Sequence, residues 1–341
     1  MTIRVSIIIL GLVVAVATLV SMGLIWFLQP WLARYATVPP NPRSSHYEPT
    51  PQGAGVAVVL ATLAVTWGLI VLWPAVLQNQ TVQLLAVTVA AALLAAVGAI
   101  DDMRPLPAAT RFATQCIAVG IMIVTLPNEL QILPQVPLWI ERACLFVAGI
   151  WFVNLVNFMD GIDWMTVAEV VPATAAIVLL GVTGVMAPLP SIFAAALLGA
   201  ILGFAPSNRP VARLFLGDVG SLPIGLLLGW LLLQLAVTGH LAAALILPLY
   251  YLLDTTITLL RRIARRERFW EAHRSHFYQR ATDSGFSVPA IVARVVLVNL
   301  VLAALALVTV AADRAFVSLA ALAVSSAVVA WLLLSFARTK R

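Results

Sequence analysis

Apolar runs of roughly 20 residues recur from one end of this chain to the other, and each is long enough to cross about 30 Å of hydrocarbon as a helix. No other feature restricts the fold so strongly. Backbone N–H and C=O groups in hydrocarbon must pair among themselves, so spanning segments are helices or closed barrels, and long unbroken apolar runs exclude the alternating pattern of a barrel strand. The expectation is an all-α, polytopic integral membrane bundle that forms a single domain over residues 1–341. About eleven spans read out, near 4–28, 53–74, 80–100, 111–126, 138–158, 166–187, 189–205, 220–238, 239–260, 289–311 and 315–336. Of the 341 residues, 62% are hydrophobic and 10% charged, which agrees. The first run, from Val5 to about Leu28, is too long for a signal-peptide core and lacks a small-residue cleavage signature, so it reads as retained. Cys116 and Cys144 sit in apolar stretches without CxxC or Cys/His spacing, which points to neither a disulfide framework nor a zinc site.

Basic residues set the orientation, because Lys and Arg near short loops stay on the cytoplasmic side. One set of loops holds Arg34, Arg43, Arg104, Arg111, Arg209, Arg213, the seven arginines between Arg261 and Arg280, and Arg338, Lys340 and Arg341, sixteen of the twenty basic residues. The opposite set holds Arg4, Arg142 and Arg314. The amino terminus is therefore expected outside and the carboxyl terminus inside the cell, in a bacterial inner membrane. The net charge of +6 follows from this asymmetry and from contact with anionic lipid, and nucleic acid is not expected as a partner.

Five polar stretches fall on the expected cytoplasmic side: PNPRSSHYEPTPQGAG (40–55), DDMRP (101–105), NFMDGID (157–163), SNRPVARLFLGDVGS (207–221) and RRIARRERFWEAHRSHFYQR (261–280). Carboxylates gathered on one face of a membrane protein, with Arg and His nearby, mark a site for an anionic or metal-bound ligand. Asp101 and Asp102 are adjacent like charges that need a cation, a proton or a ligand to offset them, and Mg²⁺ would do so; the bland alternative is a solvated helix end at the membrane boundary. Asp160 and Asp163 lie in a second turn, and Asn154 and Asn157 precede them on one helical face. Asp218 sits between two glycines in FLGDVGS, where open backbone can approach a phosphate and a carboxylate can hold a metal through oxygen; a plain GD turn is the competing reading. The first half of 261–280 reads as a loop on anionic head groups. In its second half, His273, Arg274 and His276 combine two imidazoles with a guanidinium, suited to diphosphate oxygens, while a His/His zinc pair is the weaker alternative. Asp254, near the inner end of its span, is either a packing group or a site residue, and it is assigned to neither.

Taken in order, PNPRSSHYEPTPQGAG, DDMRP, NxxNFMDGID, GFAPSNRPVARLFLGDVGSLPIG and HRSH resemble the polyprenyl-phosphate N-acetylhexosamine-1-phosphate transferases, the family of the lipid I and O-antigen initiating enzymes. The resemblance covers nearly the whole chain. It implies catalytic roles for Asp101, Asp102, Asp160, Asp163, His273 and His276, with Asp101 and Asp102 at the acceptor phosphate and metal. It implies Mg²⁺, or Mn²⁺ in its place, held by Asp218 and Asp102. Asn208 and Phe215 match positions of the nucleotide pocket, the Phe215 ring stacking on uracil, and Asn157, Arg274 and His46 complete the substrate-binding set. The implied substrates are undecaprenyl phosphate and a UDP-amino sugar, either UDP-N-acetylglucosamine or a UDP-linked 6-deoxy N-acetylhexosamine, with UMP as the leaving product, membrane lipid as surroundings and a homodimer as an option. A covalent aspartyl intermediate stays open beside direct attack, which is favoured.

Two departures from the family pattern stand out. HRSHFYQR is poorer in histidine than the lipid I enzymes, which disfavours a pentapeptide donor and favours the O-antigen branch. Arg104 and Pro105 follow Asp101 and Asp102 where the family often has another acid. The rival class is a proton-coupled secondary transporter, whose site would lie near mid-bilayer between repeated halves; here the carboxylates gather at one edge and no repeat is visible.

Overall fold

A computed structural model describes residues 5–38, 49–267 and 274–338 of the chain. Its helices are α1 (Ile7–Tyr35), α2 (Gly55–Leu72), α3 (Thr81–Met103), α4 (Ala108–Val124), α5 (Leu138–Met159), α6 (Met165–Thr183), α7 (Pro188–Phe204), α8 (Asp218–Val237), α9 (Leu241–Ile246), α10 (Leu249–Ala264), α11 (Phe277–Asp283), α12 (Val288–Ala312) and α13 (Ala315–Ala337). Eight of these, α1, α2, α3, α5, α6, α8, α12 and α13, are long and apolar enough to cross a membrane, and α4 and α7 are shorter apolar helices. The architecture is the expected polytopic all-α bundle.

Ten of the eleven expected spans correspond to single helices. The ninth, 239–260, is broken into α9 and α10 with Leu247 and Pro248 between them. Pro248 has no N–H to donate to the preceding turn, so the α9 ladder stops there. Its carbonyl accepts the Leu252 N–H at 3.0 Å and starts α10. Hydropathy does not register such a break, because the residues on both sides of it are apolar.

Helix α8 forms the centre, almost every residue of it buried, and packs against α3, α5, α2 and α9. Side chains cannot segregate polar from apolar faces in lipid as they do in water, so close approach and small residues carry helix contacts. In the α1–α7 contact, Thr18 and Ser21 of α1 donate to the Gly199 and Ala200 carbonyls at 3.0 and 2.8 Å. Where α2 meets α8, a Cβ on Gly55 would collide with the Gly220 backbone.

The ends of α3, α5 and α7 and the starts of α4, α6 and α8 meet at one end of the bundle, joined by contacts between Asp102 and Asp218, Asn157 and Asp218, Trp164 and Ala205, and Arg111 and Asp101. A short antiparallel ribbon joins them there: β1 (Thr37–Val38) pairs with β2 (Thr50–Pro51), and the segment at Phe215 pairs alongside through Gln52.

Candidate active site

The centre of the site is the start of α8. Gly217 precedes it with φ +77°, and a Cβ there would strike the Asp102 carboxylate, so only glycine lets the acid come this close. Asp102 accepts the Asp218 N–H at 2.9 Å and the Val219 N–H at 3.1 Å. These are orphan donors of the first turn of α8, and a carboxylate from α3 caps them from outside the helix. The Asp102 carbonyl in turn accepts the Gln52 side-chain amide at 2.8 Å, tying the ribbon to the same point.

Capping by Asp102 fixes Asp218. Its Oδ1 accepts the Asn157 amide at 2.8 Å, and that same amide nitrogen lies 2.8 Å from the Ser221 hydroxyl. Its Oδ2 faces Arg111 Nη1 of α4 at 3.6 Å. The same nitrogen is 3.1 Å from Asp101 Oδ2, while Asp101 Oδ1 accepts the Leu106 N–H at 2.6 Å. Arg111 thus bridges two carboxylates whose like charges would otherwise repel. The sequence reading counted Arg111 only toward orientation; its spacing, ten residues beyond Asp101 and on the next helix, carried no signal of this bridge.

Asp160 and Asp163 line the neighbouring turn and do different work. Asp160 ends α5 and accepts the Thr166 hydroxyl at 2.5 Å. Burial pushes its carboxyl up to about 7, the Thr166 hydrogen bond opposes the rise, and the Asp218 and Asp163 charges add to it. Asp163 is buried and accepts the Ala212 N–H at 3.0 Å, fastening the loop between α7 and α8. Asn208 fastens the same loop: it accepts the Trp164 N–H at 2.8 Å and donates to the Leu214 carbonyl at 2.9 Å. Both ends of its amide hold backbone. Phe215 donates its N–H to the Pro51 carbonyl at 2.8 Å and accepts the Ala54 N–H at 3.1 Å, which sets it at the edge of the ribbon beside Asp218.

Of the histidine stretch, His273 lies outside the described residues, as does His46. His276 caps α11 and is buried, with Nδ1 3.3 Å from Asp254 Oδ1. Arg274 turns toward the far end of α11, where it meets the Thr282 hydroxyl at 2.9 Å and Asp283 at 3.2 Å. Asp254, unassigned from sequence, is the organiser of this corner. A carboxylate inside an apolar run was the available signal, but its partners at His276, Phe277 and Tyr278 lie 22 to 24 residues away in the chain and could not be read from spacing.

A cavity of about 790 Å³ opens from this cluster. Arg111, Asn157 and Asp218 line one part of it, with Gln115 and Asn154, themselves joined by a 2.6 Å hydrogen bond, beside them. Phe112, Phe146, Val147, Ile150, Trp151 and Leu259 line the rest. The space is charged where the carboxylates converge and apolar along α4, α5 and α10. Among the described residues no group of three or more His, Cys, Asp and Glu forms a ready metal cage. Asp101 and Asp218 are joined through Arg111.

The family model of glycosyl transferase family 4 matches residues 84–236, which contain Asp101, Asp102, Asp160, Asp163 and Asp218. The match covers 153 of the chain's 341 residues, and over them the chain is similar to this family. Its relatives include the decaprenyl-phosphate N-acetylglucosaminephosphotransferase of Mycobacterium leprae, 31% identical over 237 residues, or 64% of this chain and 58% of that protein. The probable undecaprenyl-phosphate N-acetylglucosaminyl 1-phosphate transferase of Bacillus subtilis is 26% identical over 80% of this chain and 78% of its own length. A phospho-N-acetylmuramoyl-pentapeptide-transferase of Limosilactobacillus fermentum is 28% identical over 74% of this chain and 83% of its own. The chain thus spans less than three fifths of the length of the mycobacterial relatives it matches.

Proposed function

We propose that this chain transfers the sugar 1-phosphate of a UDP-N-acetylhexosamine to a polyprenyl phosphate, releasing UMP, at the cytoplasmic face of a bacterial inner membrane. The observation that carries the proposal is the 790 Å³ cavity, cationic and carboxylate-lined at one part and apolar along the rest. An acceptor that is a phosphate on a long hydrocarbon tail has the same two-part chemistry. The names of the relatives support the reaction class, and the excess of Arg at the loops of this end supports the orientation.

In this reading the prenyl tail lies against Phe112, Phe146 and Trp151 while Arg111 receives the acceptor phosphate. A phosphate oxygen of the acceptor attacks the β-phosphorus of the donor; the bond from that phosphorus to the bridging oxygen breaks, and the electron pair leaves with UMP. The protein's work is positioning and charge neutralisation. Asp102 fixes the start of α8 and so aims Asp218, and Asn157 holds the Asp218 oxygen it donates to. The oxygen-only donor set fits a hard cation such as Mg²⁺, or Mn²⁺ in its place. Asp218 and Asp101 would hold it, with Asp102 behind them, and when bound it would neutralise charge developing on the transferred phosphoryl group. Asp101 and Asp102 each hold backbone N–H groups, which supports direct attack by the lipid over a covalent aspartyl intermediate. The donor is UDP-N-acetylglucosamine or a 6-deoxy relative, and the product primes an O-antigen or related envelope polysaccharide.

Purified protein in detergent, given undecaprenyl phosphate, Mg²⁺ and a panel of UDP-amino sugars, should release UMP with one donor only, and not after chelation or without lipid. No release with any N-acetylhexosamine donor would contradict the proposal and favour the transporter reading.

A further inference from the structure

Gln115 of α4 and Asn154 of α5 stand in the cavity wall one layer below the carboxylates. Gln115 follows Arg111 by one turn, so the two share a face of α4 and lie about 6 Å apart along its axis. Asn154 precedes Asn157 and shares its face of α5 in the same way. Both helices lead away from the site toward the middle of the bundle, so the wall is layered. Arg111, Asn157 and Asp218 form its charged end, the two amides follow, and Phe146 and Ile150 lie beyond them.

Partners fix the orientation of both amides. Asn154 Nδ2 donates to the Ile150 carbonyl at 2.8 Å and to Gln115 Oε1 at 2.6 Å. A carbonyl can only accept, so that end of Asn154 is its nitrogen, and the end of Gln115 that meets it is its oxygen. The two N–H donors of Gln115 Nε2 remain. Gln115 is 4% exposed, and among the described residues no acceptor meets Nε2. A bond that only joined α4 to α5 would use one end of the Gln115 amide. The other end is a buried donor on a cavity wall, which costs stability until a ligand or water accepts from it.

From this layering we propose that Gln115 binds the acceptor lipid at the oxygen joining its phosphate to the first isoprene carbon, and that Asn154 is the positioning residue that aims the Gln115 amide. The inference rests on the reading that this cavity takes a polyprenyl phosphate. In such a lipid the ester oxygen is the last polar atom before the hydrocarbon, and Gln115 lies at the matching boundary between Arg111 and the apolar wall. With a non-bridging oxygen at Arg111 and the ester oxygen at Gln115, the phosphate is held at two points. It cannot spin about its ester bond, and a remaining oxygen stays directed at the donor phosphorus.

The test uses the full-length protein in detergent, the variants Gln115→Met and Asn154→Leu, and two acceptors: undecaprenyl phosphate and the phosphonate in which a CH₂ group replaces the ester oxygen. UMP release gives kcat/KM for each acceptor. The wild type should prefer the phosphate, and Gln115→Met should lower that preference by about 3- to 10-fold, the usual worth of one neutral hydrogen bond, because it loses on the phosphate and not on the phosphonate. Asn154→Leu should lower it in the same direction, since it acts through the Gln115 amide. KM for the UDP-sugar should keep its wild-type value in both. A structural role would slow both acceptors alike, so an unchanged preference in Gln115→Met would overturn the proposal, as would a raised KM for the UDP-sugar with the preference intact. Displacement of radiolabelled undecaprenyl phosphate from the wild type compares the two lipids without turnover, and equal affinity would overturn the proposal even if neither variant folds. A wild type that binds the lipid but releases no UMP from any donor would defeat the transfer reading, and displacement would still decide the assignment of Gln115.

Discussion

Replacing Gly98 by alanine should separate positioning from folding at the centre of the site. A Cβ on Gly98 of α3 would lie 2.5 Å from the Asp218 carbonyl carbon and oxygen and from the Val219 nitrogen, whereas ordinary contact begins near 3.4 Å. All three neighbours are backbone, so no rotamer change relieves the clash, and α8 must retreat by about 0.9 Å. That retreat would stretch the bonds from Asp102 to the Asp218 and Val219 N–H groups, now 2.9 and 3.1 Å, to roughly 3.8–4.0 Å, outside hydrogen-bond range. Overpacking of this kind costs about 1–3 kcal/mol, part of which is offset by the roughly 1 kcal/mol helical advantage of Ala over Gly. The fold should survive. A displacement of about 1 Å at a catalytic carboxylate costs about 10²-fold in turnover, so Gly98→Ala should show that loss in UMP release with a thermal midpoint within a few degrees of the wild type. Gly68→Ala in α2, where a Cβ would meet nothing within 4 Å, is the control and should turn over normally. Wild-type turnover by Gly98→Ala would refute the idea that Asp102 and the start of α8 are held in a geometry the reaction needs.

Asp218→Asn should abolish UMP release while leaving thermal unfolding in detergent unchanged, since it removes charge and not volume; normal release would remove Asp218 from the chemistry. Arg111→Gln should raise KM for the polyprenyl phosphate by about 10- to 100-fold, the worth of one charge-assisted contact, and leave KM for the UDP-sugar near its wild-type value; the reverse pattern would move the acceptor elsewhere. Asp160 titrates at about 7 in the folded protein against an ordinary 3.8, so between those values the folded state binds more protons than the unfolded one. Its contribution to stability therefore falls as pH rises from about 4 to about 7 and is level above that. Asp160→Asn should lose this slope in thermal unfolding scans, and an unchanged slope would assign it to other groups.

The helices were legible because hydrocarbon permits so few backbone solutions, and ten of eleven apolar runs became single helices, eight of them long and apolar enough to cross a membrane. Pro248 was visible in the sequence, yet a proline within an apolar run can kink a helix or end it, and only tertiary packing decides which. Asp101, Asp102, Asp160 and Asp163 were legible as acids at the expected membrane edge, but their division of labour was not. The two N–H bonds that Asp102 accepts come from residues 116 and 117 positions away, and the Asn208 amide turned out to be committed to backbone at both ends. Arg274, which precedes α11, pairs with Asp283 at the far end of that helix, an i, i+9 relation that no helical periodicity suggests. Local spacing carries residue type and depth; it does not carry contacts between helices that meet only at one end of the bundle.

The most direct test follows the phosphorus. With UDP-N-acetylhexosamine labelled at the β-phosphate and a polyprenyl phosphate acceptor, transfer of a sugar 1-phosphate predicts that label moves into the lipid fraction while unlabelled UMP appears in equal amount. Label retained in water-soluble UDP, with sugar alone on the lipid, would contradict the account, because the bond broken would then be at the sugar carbon and not at the β-phosphorus.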